Sequence, residues 1–408
     1  MVPRQQSPGP AILSDLLSRN ILILLVAQAA SVTGTVAIVT VGGILGRNLA
    51  GNPALATLPL SMLIVATALS TIVAASIMSR IGRPRGFALG SALGAAGAGC
   101  AWAATVVGSF ALFCLGSILI GCATAFAQQY RFAATESVRP AAAPTAVAVV
   151  LTGSMAGAIL GPSLVARGES WIAGAQFGGS FAAMAACYAL AGAVLLALRP
   201  ASSKAREESG GDVRPLRNIA ESRLFIVAVV GAAMGQGVMA FMMTAAPLAM
   251  HVVDGHSLAA TAAIIQAHVL AMYAPSLVAG GLITRFGAGR VMMAGAVLLG
   301  VTLAAGLAGR EVMHYGIAMV ALGFGWNFLY VGGTTLLARS YRPAERFRVQ
   351  GLNDFIVLGC AAVGSLSAGA VMQLLGWDAV LYASMPAIML AMAAIIWARP
   401  DRERVVAG

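Results

Sequence analysis

Twelve apolar runs, each long enough to cross a bilayer, dominate this chain and restrict what it can fold into. They lie at about 21–44, 54–78, 86–107, 109–134, 142–165 and 173–198, and then at about 224–247, 257–283, 291–308, 315–338, 350–374 and 379–397. The hydrocarbon core of a bilayer is about 30 Å thick and takes about 20 residues of helix. In lipid every backbone N–H and C=O has to be satisfied within the segment, so runs of this length are predicted to be helices. The fold class expected is an all-α polytopic membrane protein with twelve transmembrane helices. Composition excludes the soluble alternative, since 59% of residues are hydrophobic and only 10% charged, against about 25% charged in soluble domains.

The charges that remain report orientation. A net charge of +11 would ordinarily raise nucleic acid as a partner, but the basic residues sit in short loops between apolar runs. With a cytoplasmic N-terminus, 21 Lys/Arg fall inside, three outside (Arg47, Arg167, Arg310) and one, Arg131, within a span. Basic loops stay on the cytoplasmic side, so both termini are expected there, in a bacterial inner membrane, with the lipid bilayer as surroundings and no nucleic acid as partner. The first run is too long for a cleavable signal peptide and leads straight into further spans. Cys100, Cys114, Cys122, Cys187 and Cys360 all lie in apolar runs without CxxC spacing, so neither a disulfide framework nor a metal site is expected.

Segmentation follows the same pattern. A cytoplasmic tail is predicted at 1–20, a six-helix bundle at 21–198, a flexible linker at 199–223, a second six-helix bundle at 224–398 and a tail at 399–408. The halves repeat: Arg80-Ile-Gly82 after span 2 returns as Arg285-Phe-Gly287 after span 8. Arg139-Pro-Ala141 returns as Arg342-Pro-Ala344, and Arg199-Pro200 as Arg399-Pro400. Three matches in one order, at offsets of 205, 203 and 200, point to duplicated, pseudo-symmetric halves.

Six plus six spans, a central loop and these basic loops resemble the major facilitator superfamily of secondary transporters. Its loop signature, Gly-x-Leu-x-Asp-Arg-x-Gly-Arg, is matched by Gly280-Gly-Leu282-Ile-Thr284-Arg285-Phe-Gly287 and, less closely, by Ser79-Arg80-Ile-Gly82-Arg83. Ser79 and Thr284 stand where the family has Asp. The resemblance implies a cytoplasmic latch tying helix ends together, with Arg80, Gly82, Arg83, Glu136, Arg285 and Gly287 as its members. It also implies a central cavity lined by the first and fourth helices of each half.

Polar residues at helical spacing reach the same four helices independently. Buried polar groups in lipid are costly and turn inward. Span 1 carries Gln28, Ser31 and Thr35; span 4 Thr124, Gln128, Arg131 and Thr135; span 7 Gln236 with Met239 and Met243; span 10 Trp326, Asn327, Tyr330 and Thr334. Gln28, Gln128, Arg131, Gln236, Trp326, Asn327 and Tyr330 are therefore the candidate solute-binding residues. The alternatives stay open for each: hydroxyls bonding their own helix carbonyls, amides joining helices, and an arginine that gates or pairs with an acid. Asp354 at the start of span 11 reads either as a structural partner of the loop Arg80, Arg83 and Arg85 or as a proton carrier, and His268 as a proton relay or a packing residue. Gly153, Gly157 and Gly161-Pro162 in span 5 form a ridge for close helix approach. They partly match the Gly-x-x-x-Gly-Pro signature of the family's antiporters.

Nothing resembles a phosphate-binding loop, a paired-histidine metal site or a nucleophile elbow, so neither an enzyme nor a cofactor is expected. The function expected is secondary transport of a small organic solute, a drug or metabolite moved outward, by alternating access in a monomer, with or without protons. An alternative is uptake of a vitamin: Ala54-Leu-Ala-Thr-Leu-Pro59 and Gln128-Gln-Tyr-Arg131-Phe look like a branch of riboflavin-type permeases. An alternative of another class is a transport-dead sensor or assembly factor on the same scaffold.

Overall fold

The computed structural model describes residues 18–51, 55, 58–168, 171–172, 177–199 and 213–398. Spans 1 to 3 are Arg19–Leu49, Leu58–Ile81 and Arg83–Val107. Span 4 is Phe110–Ala127 followed by Tyr130–Glu136, and spans 5 and 6 are Ala143–Gly168 and Gly178–Leu196. In the second half, span 7 is Arg223–Pro247, span 8 is Leu258–Tyr273 followed by Ser276–Phe286, and spans 9 and 10 are Ala288–Ala308 and Val312–Ala338. Spans 11 and 12 form one run of 53 residues, Arg346–Ala398, interrupted at Gly376, where φ is 80°. No atom lies within 4 Å of where a Cβ would sit there, so the left-handed backbone alone asks for glycine. The hydroxyls of Ser109, Ser222 and Ser257 accept the N–H of Leu112, Phe225 and Ala260, capping the starts of spans 4, 7 and 8.

Two spans expected to be continuous are broken. In span 4, the Gln128 N–H bonds Thr124 O at 3.0 Å but the Gln129 N–H turns to Phe126 O at 3.1 Å, a local tightening from i−4 to i−3 spacing. Span 8 stops at Tyr273 and resumes at Ser276 because Pro275 has no N–H to continue the ladder.

Glycines set the close helix contacts, and they do so for equivalent pairs in both halves. A Cβ on Gly97 would meet Gly116 O at 2.8 Å between spans 3 and 4, and one on Gly295 would meet Gly325 O at 2.8 Å between spans 9 and 10. Spans 2 and 4 touch where Gly121 faces Leu63 O, and spans 8 and 10 where Gly323 faces Ala271. The span 5 ridge seats span 1, with Gly153 against Leu25 O, Gly157 against Val32 and Gly161 against Val36; Gly364 on span 11 meets Gly237 O on span 7. These matched contacts make the two six-helix halves pseudo-symmetric in packing as well as in sequence.

The halves join near the face where span 6 ends and span 7 begins, called here the linker side. A Cβ on Gly280 would lie 2.5 Å from the Thr145 Cα, joining span 8 to span 5, and one on Gly351 would lie 2.9 Å from the Ala75 Cβ, joining span 11 to span 2. Most of the predicted tails and residues 200–212 of the linker lie outside the described residues, as do the side chain of Arg47 and residues Ala54, Ala56 and Thr57. The rest of the linker departs from the flexible stretch expected. Leu216–Ala220 is helical, and Arg214 clamps the buried Glu345 of the loop before span 11 through Nε at 2.8 Å and Nη2 at 2.6 Å. That ion pair holds the Glu345 carboxyl well below the usual carboxylate range, at about 2.

Candidate solute site

Span 10 carries an aromatic stack that span 7 holds at one edge. Trp326 and Tyr330, one helical turn apart, lie face to face with ring centroids 4.8 Å apart and planes 20° from parallel. Tyr273 covers the indole edge-on at 5.8 Å from just before the span 8 break. Both stacked rings are buried, and each polar edge has a partner: Trp326 Nε1–H donates to Gln236 Oε1 at 2.5 Å, and Tyr330 OH donates to Gln128 Oε1 at 2.8 Å. An indole N–H can only donate, so the orientation of the Gln236 amide follows. Gln28 donates from Nε2 to Ser154 Oγ at 2.8 Å. Three half-buried amides are thus each held at one end, leaving Gln28 Oε1, Gln128 Nε2 and Gln236 Nε2 without a partner among the described residues.

The first half groups its hydroxyls. Thr35 Oγ1 lies 3.3 Å from Thr124 Oγ1 and 3.2 Å from Tyr188 OH, and Ser31 Oγ lies 3.4 Å from Tyr130 OH. Ser154, Tyr130 and Tyr188 escape a stripe-based search: Ser154 and Tyr188 sit on spans 5 and 6, outside the four cavity helices, and Tyr130 follows the unsignalled break in span 4.

Toward the linker side the stack meets an ion pair joining the halves. Arg131 lies over Tyr330, its guanidinium carbon 4.2 Å from the ring centroid, and bonds Asp354 through Nη2. Asp354 also accepts from Gln129 Nε2 at 2.6 Å and Asn353 Nδ2 at 2.9 Å. Both partners are buried, Arg131 to 4% and Asp354 to 1% exposure. This corrects the expected pairing of Asp354 with the loop of Arg80, Arg83 and Arg85. That loop is served instead by Glu136 and Gln350: Arg83 bonds Glu136 at 2.8 and 2.5 Å and Gln350 Oε1 at 2.8 Å, with Arg346 3.9 Å from Glu136. Gln350 belongs to span 11, so this cluster too crosses between halves. Ser79 and Thr284, in the positions of the family's Asp, bond their own helix carbonyls at Ser76 and Gly280. Arg80 and Arg285 are exposed, and Gly82 and Gly287 end their helices at φ 83° and 91°.

Two candidates stand apart from the aromatic stack. Asn327 is fully buried and donates to Met272 O at 2.8 Å and Ser276 Oγ at 2.7 Å. There it satisfies backbone freed by the span 8 break, which corrects its expected place beside Trp326. His268 is fully buried between spans 8 and 10, its Nδ1–H donating to Met319 O at 2.8 Å; its Nε2 has no partner among the described residues, and no acid is bonded to it there.

Comparison with known proteins agrees with this architecture. The family model for the Major Facilitator Superfamily matches residues 22–275 and 255–408. The chain belongs to the Major Facilitator Superfamily. It is accordingly a multi-pass membrane protein of a transporter family, and its relatives are transporters. The Riboflavin transporter RfnT of Brucella anthropi is 38% identical over 379 residues, covering 93% of this chain and 95% of that protein. The uncharacterized MFS-type transporter YdeG of Bacillus subtilis is 30% identical over 406 residues, covering 96% and 94%. Among solved structures, the human organic anion transporter MFSD10 aligns with a TM-score of 0.75 at 14% identity, covering 92% of this chain and 99% of that one. FucP in the outward conformation aligns with a TM-score of 0.70 at 16% identity, covering 96% and 100%. At these identities the two structures speak for the superfamily fold alone.

Proposed function

We propose that this chain carries riboflavin, or a solute with a similarly flat heteroaromatic ring, across the bacterial inner membrane by alternating access. The observation that carries the reading is the Trp326–Tyr330 stack with the Gln236 and Gln128 amides bonded to its polar edges, in a chain 38% identical over 93% of its length to a riboflavin transporter. A flat ring with carbonyl and N–H edges suits both features: stacking supplies area, and the free ends of Gln28, Gln128 and Gln236 supply one acceptor and two donors. Because Tyr273 covers the indole edge-on, the solute reaches Trp326 by displacing that ring. The outward, drug-moving reading rests on the partial antiporter signature of span 5 and has no comparable support, and uptake is the direction proposed.

Arg131 and Asp354 then act as the linker-side gate and not as solute ligands. Their contact is buried, crosses between halves and lies one level closer to the linker side than the stack. With the basic loops placed in the cytoplasm, as the positive-inside rule directs, this conformation is closed toward the cytoplasm.

The test is the thermal stability of purified protein with riboflavin, because a ligand of the native state raises the apparent unfolding midpoint by an amount that grows with the logarithm of its concentration above Kd. Riboflavin is expected to raise it, and aliphatic acids and sugars are not. No shift with saturating riboflavin would overturn the reading.

A further inference from the structure

Resting on that reading, we infer that Thr35 and Thr124 form a separate subsite for a polyhydroxylated alkyl chain, on the wall facing the aromatic stack. The placement follows from helix direction. Gln128 and Tyr330 touch across the halves and fix a common level for spans 4 and 10. Span 4 runs toward the linker side, so Thr124 lies one turn, about 5.4 Å, beyond Gln128 on the far side. Span 10 runs the same way, so Trp326 lies one turn beyond Tyr330 on that side too. Thr124 and Trp326 therefore stand at the same depth on opposite halves.

The chemistry of the cluster is one-sided. The Thr124 hydroxyl donates to Ile120 O at 2.9 Å and the Thr35 hydroxyl to Ser31 O at 3.1 Å, the usual habit of helix threonines. With their protons turned into the helices, both oxygens are left as acceptors at half-buried positions: their 3.3 Å approach then joins two acceptors, Tyr188 OH donates to Thr35 Oγ1 at 3.2 Å, and the remaining lone pairs, chiefly those of Thr124, call for a donor from a solute. Solute hydroxyls, which must donate when they leave water, complement such a surface; a carboxylate or phosphate, which can only accept, does not.

The arrangement is also built in place. Tyr188 reaches Thr35 from span 6 because two glycines make room for its ring: a Cβ on Gly34 would lie 2.6 Å and one on Gly94 2.5 Å from ring carbons of Tyr188. Alanine at either position would push the phenol away from Thr35. Flavin vitamins join a flat ring to a chain of hydroxyls, so the ring would lie on the Trp326 half and the chain on the Thr35–Thr124 half. A solute spanning both halves is the kind able to report its presence to each.

The experiment is equilibrium dialysis of the purified full chain against riboflavin and against lumiflavin, which has the same ring with a methyl group in place of the polyol. Wild type is expected to bind riboflavin about thirtyfold more tightly, the worth of two ordinary hydrogen bonds. Thr35→Val with Thr124→Val should bring riboflavin to the lumiflavin affinity and leave lumiflavin binding intact, and Thr35→Ser with Thr124→Ser, which keep the hydroxyls, should restore the preference. Equal wild-type affinities, or loss of both flavins in the valine variant, would overturn the subsite while leaving the ring site standing. Absence of binding by either flavin to wild type would overturn the ring reading, and the subsite with it.

Discussion

Replacing Asp354 by Asn should unlock the linker side of the molecule. The carboxylate is 1% exposed and faces an arginine that is 4% exposed. Among the described residues only Nη2 of the Arg131 donors is bonded, while Nε and Nη1 are buried without partners there. With Asp354 neutralised, Arg131 keeps no anion among its described contacts, and only the Tyr330 and Phe132 ring faces remain beside it. Removing one partner of a buried pair costs about 3–5 kcal/mol. This pair spans the two halves, so the cost falls on the conformation that closes them together. A loss of that size shifts the closed-to-open equilibrium by about a hundredfold to a few thousandfold. The assay is double electron–electron resonance between spin labels on cysteines replacing Arg85 and Arg339, exposed on the linker side of opposite halves, with the five native cysteines removed. Wild type should show one short distance and D354N a dominant longer one, with R131M/D354N returning toward wild type because no buried charge is left alone. An unchanged distance distribution in D354N would refute the assignment of this pair as the gate.

Other consequences are open to measurement. Trp326→Ala should weaken riboflavin binding by about 5- to 100-fold in equilibrium dialysis, since stacking of a nucleobase-like ring on an aromatic side chain is worth about 1–3 kcal/mol. Glu345, held at about 2 against an unperturbed 4.5, contributes stability that is complete above about pH 4.5 and lost as pH falls through about 2; the difference in unfolding midpoint between wild type and Glu345→Gln should shrink across that window, and a constant difference would count against the clamp. Gly157→Val puts a Cβ 2.7 Å from Val32 and should destabilise by about 1–3 kcal/mol through overpacking, read as a lower unfolding midpoint. Gly281→Ala, with open space around it, should be neutral or stabilising by up to about 1 kcal/mol.

The helices and the duplication were legible in the sequence because lipid imposes them: run length reports bilayer thickness, and repeated loop tripeptides report the two halves. The Trp326–Tyr330 stack followed from spacing alone, since residues four apart share a helix face. What spacing could not supply is the partner across the halves. Asp354 sits 223 residues from Arg131, and although Arg131 stands apart as the one basic residue within a span, nothing local says which acid it meets. The break at Gln128–Gln129 involves no proline or glycine, so it left no signal; the one at Pro275 had its proline, set inside an otherwise unbroken apolar run. Asn327 was misplaced for a related reason: the backbone that Pro275 frees is what draws its amide away from the cavity.

The central claim is that the aromatic stack and its amides serve transport of a flavin-like solute. It is tested most directly by counterflow in proteoliposomes, with unlabelled riboflavin inside and a trace of labelled riboflavin outside. Wild type should accumulate label transiently above the equilibrium level, and neither Trp326→Ala nor empty vesicles should do so. Wild-type protein that is folded and inserted yet gives no counterflow would contradict it.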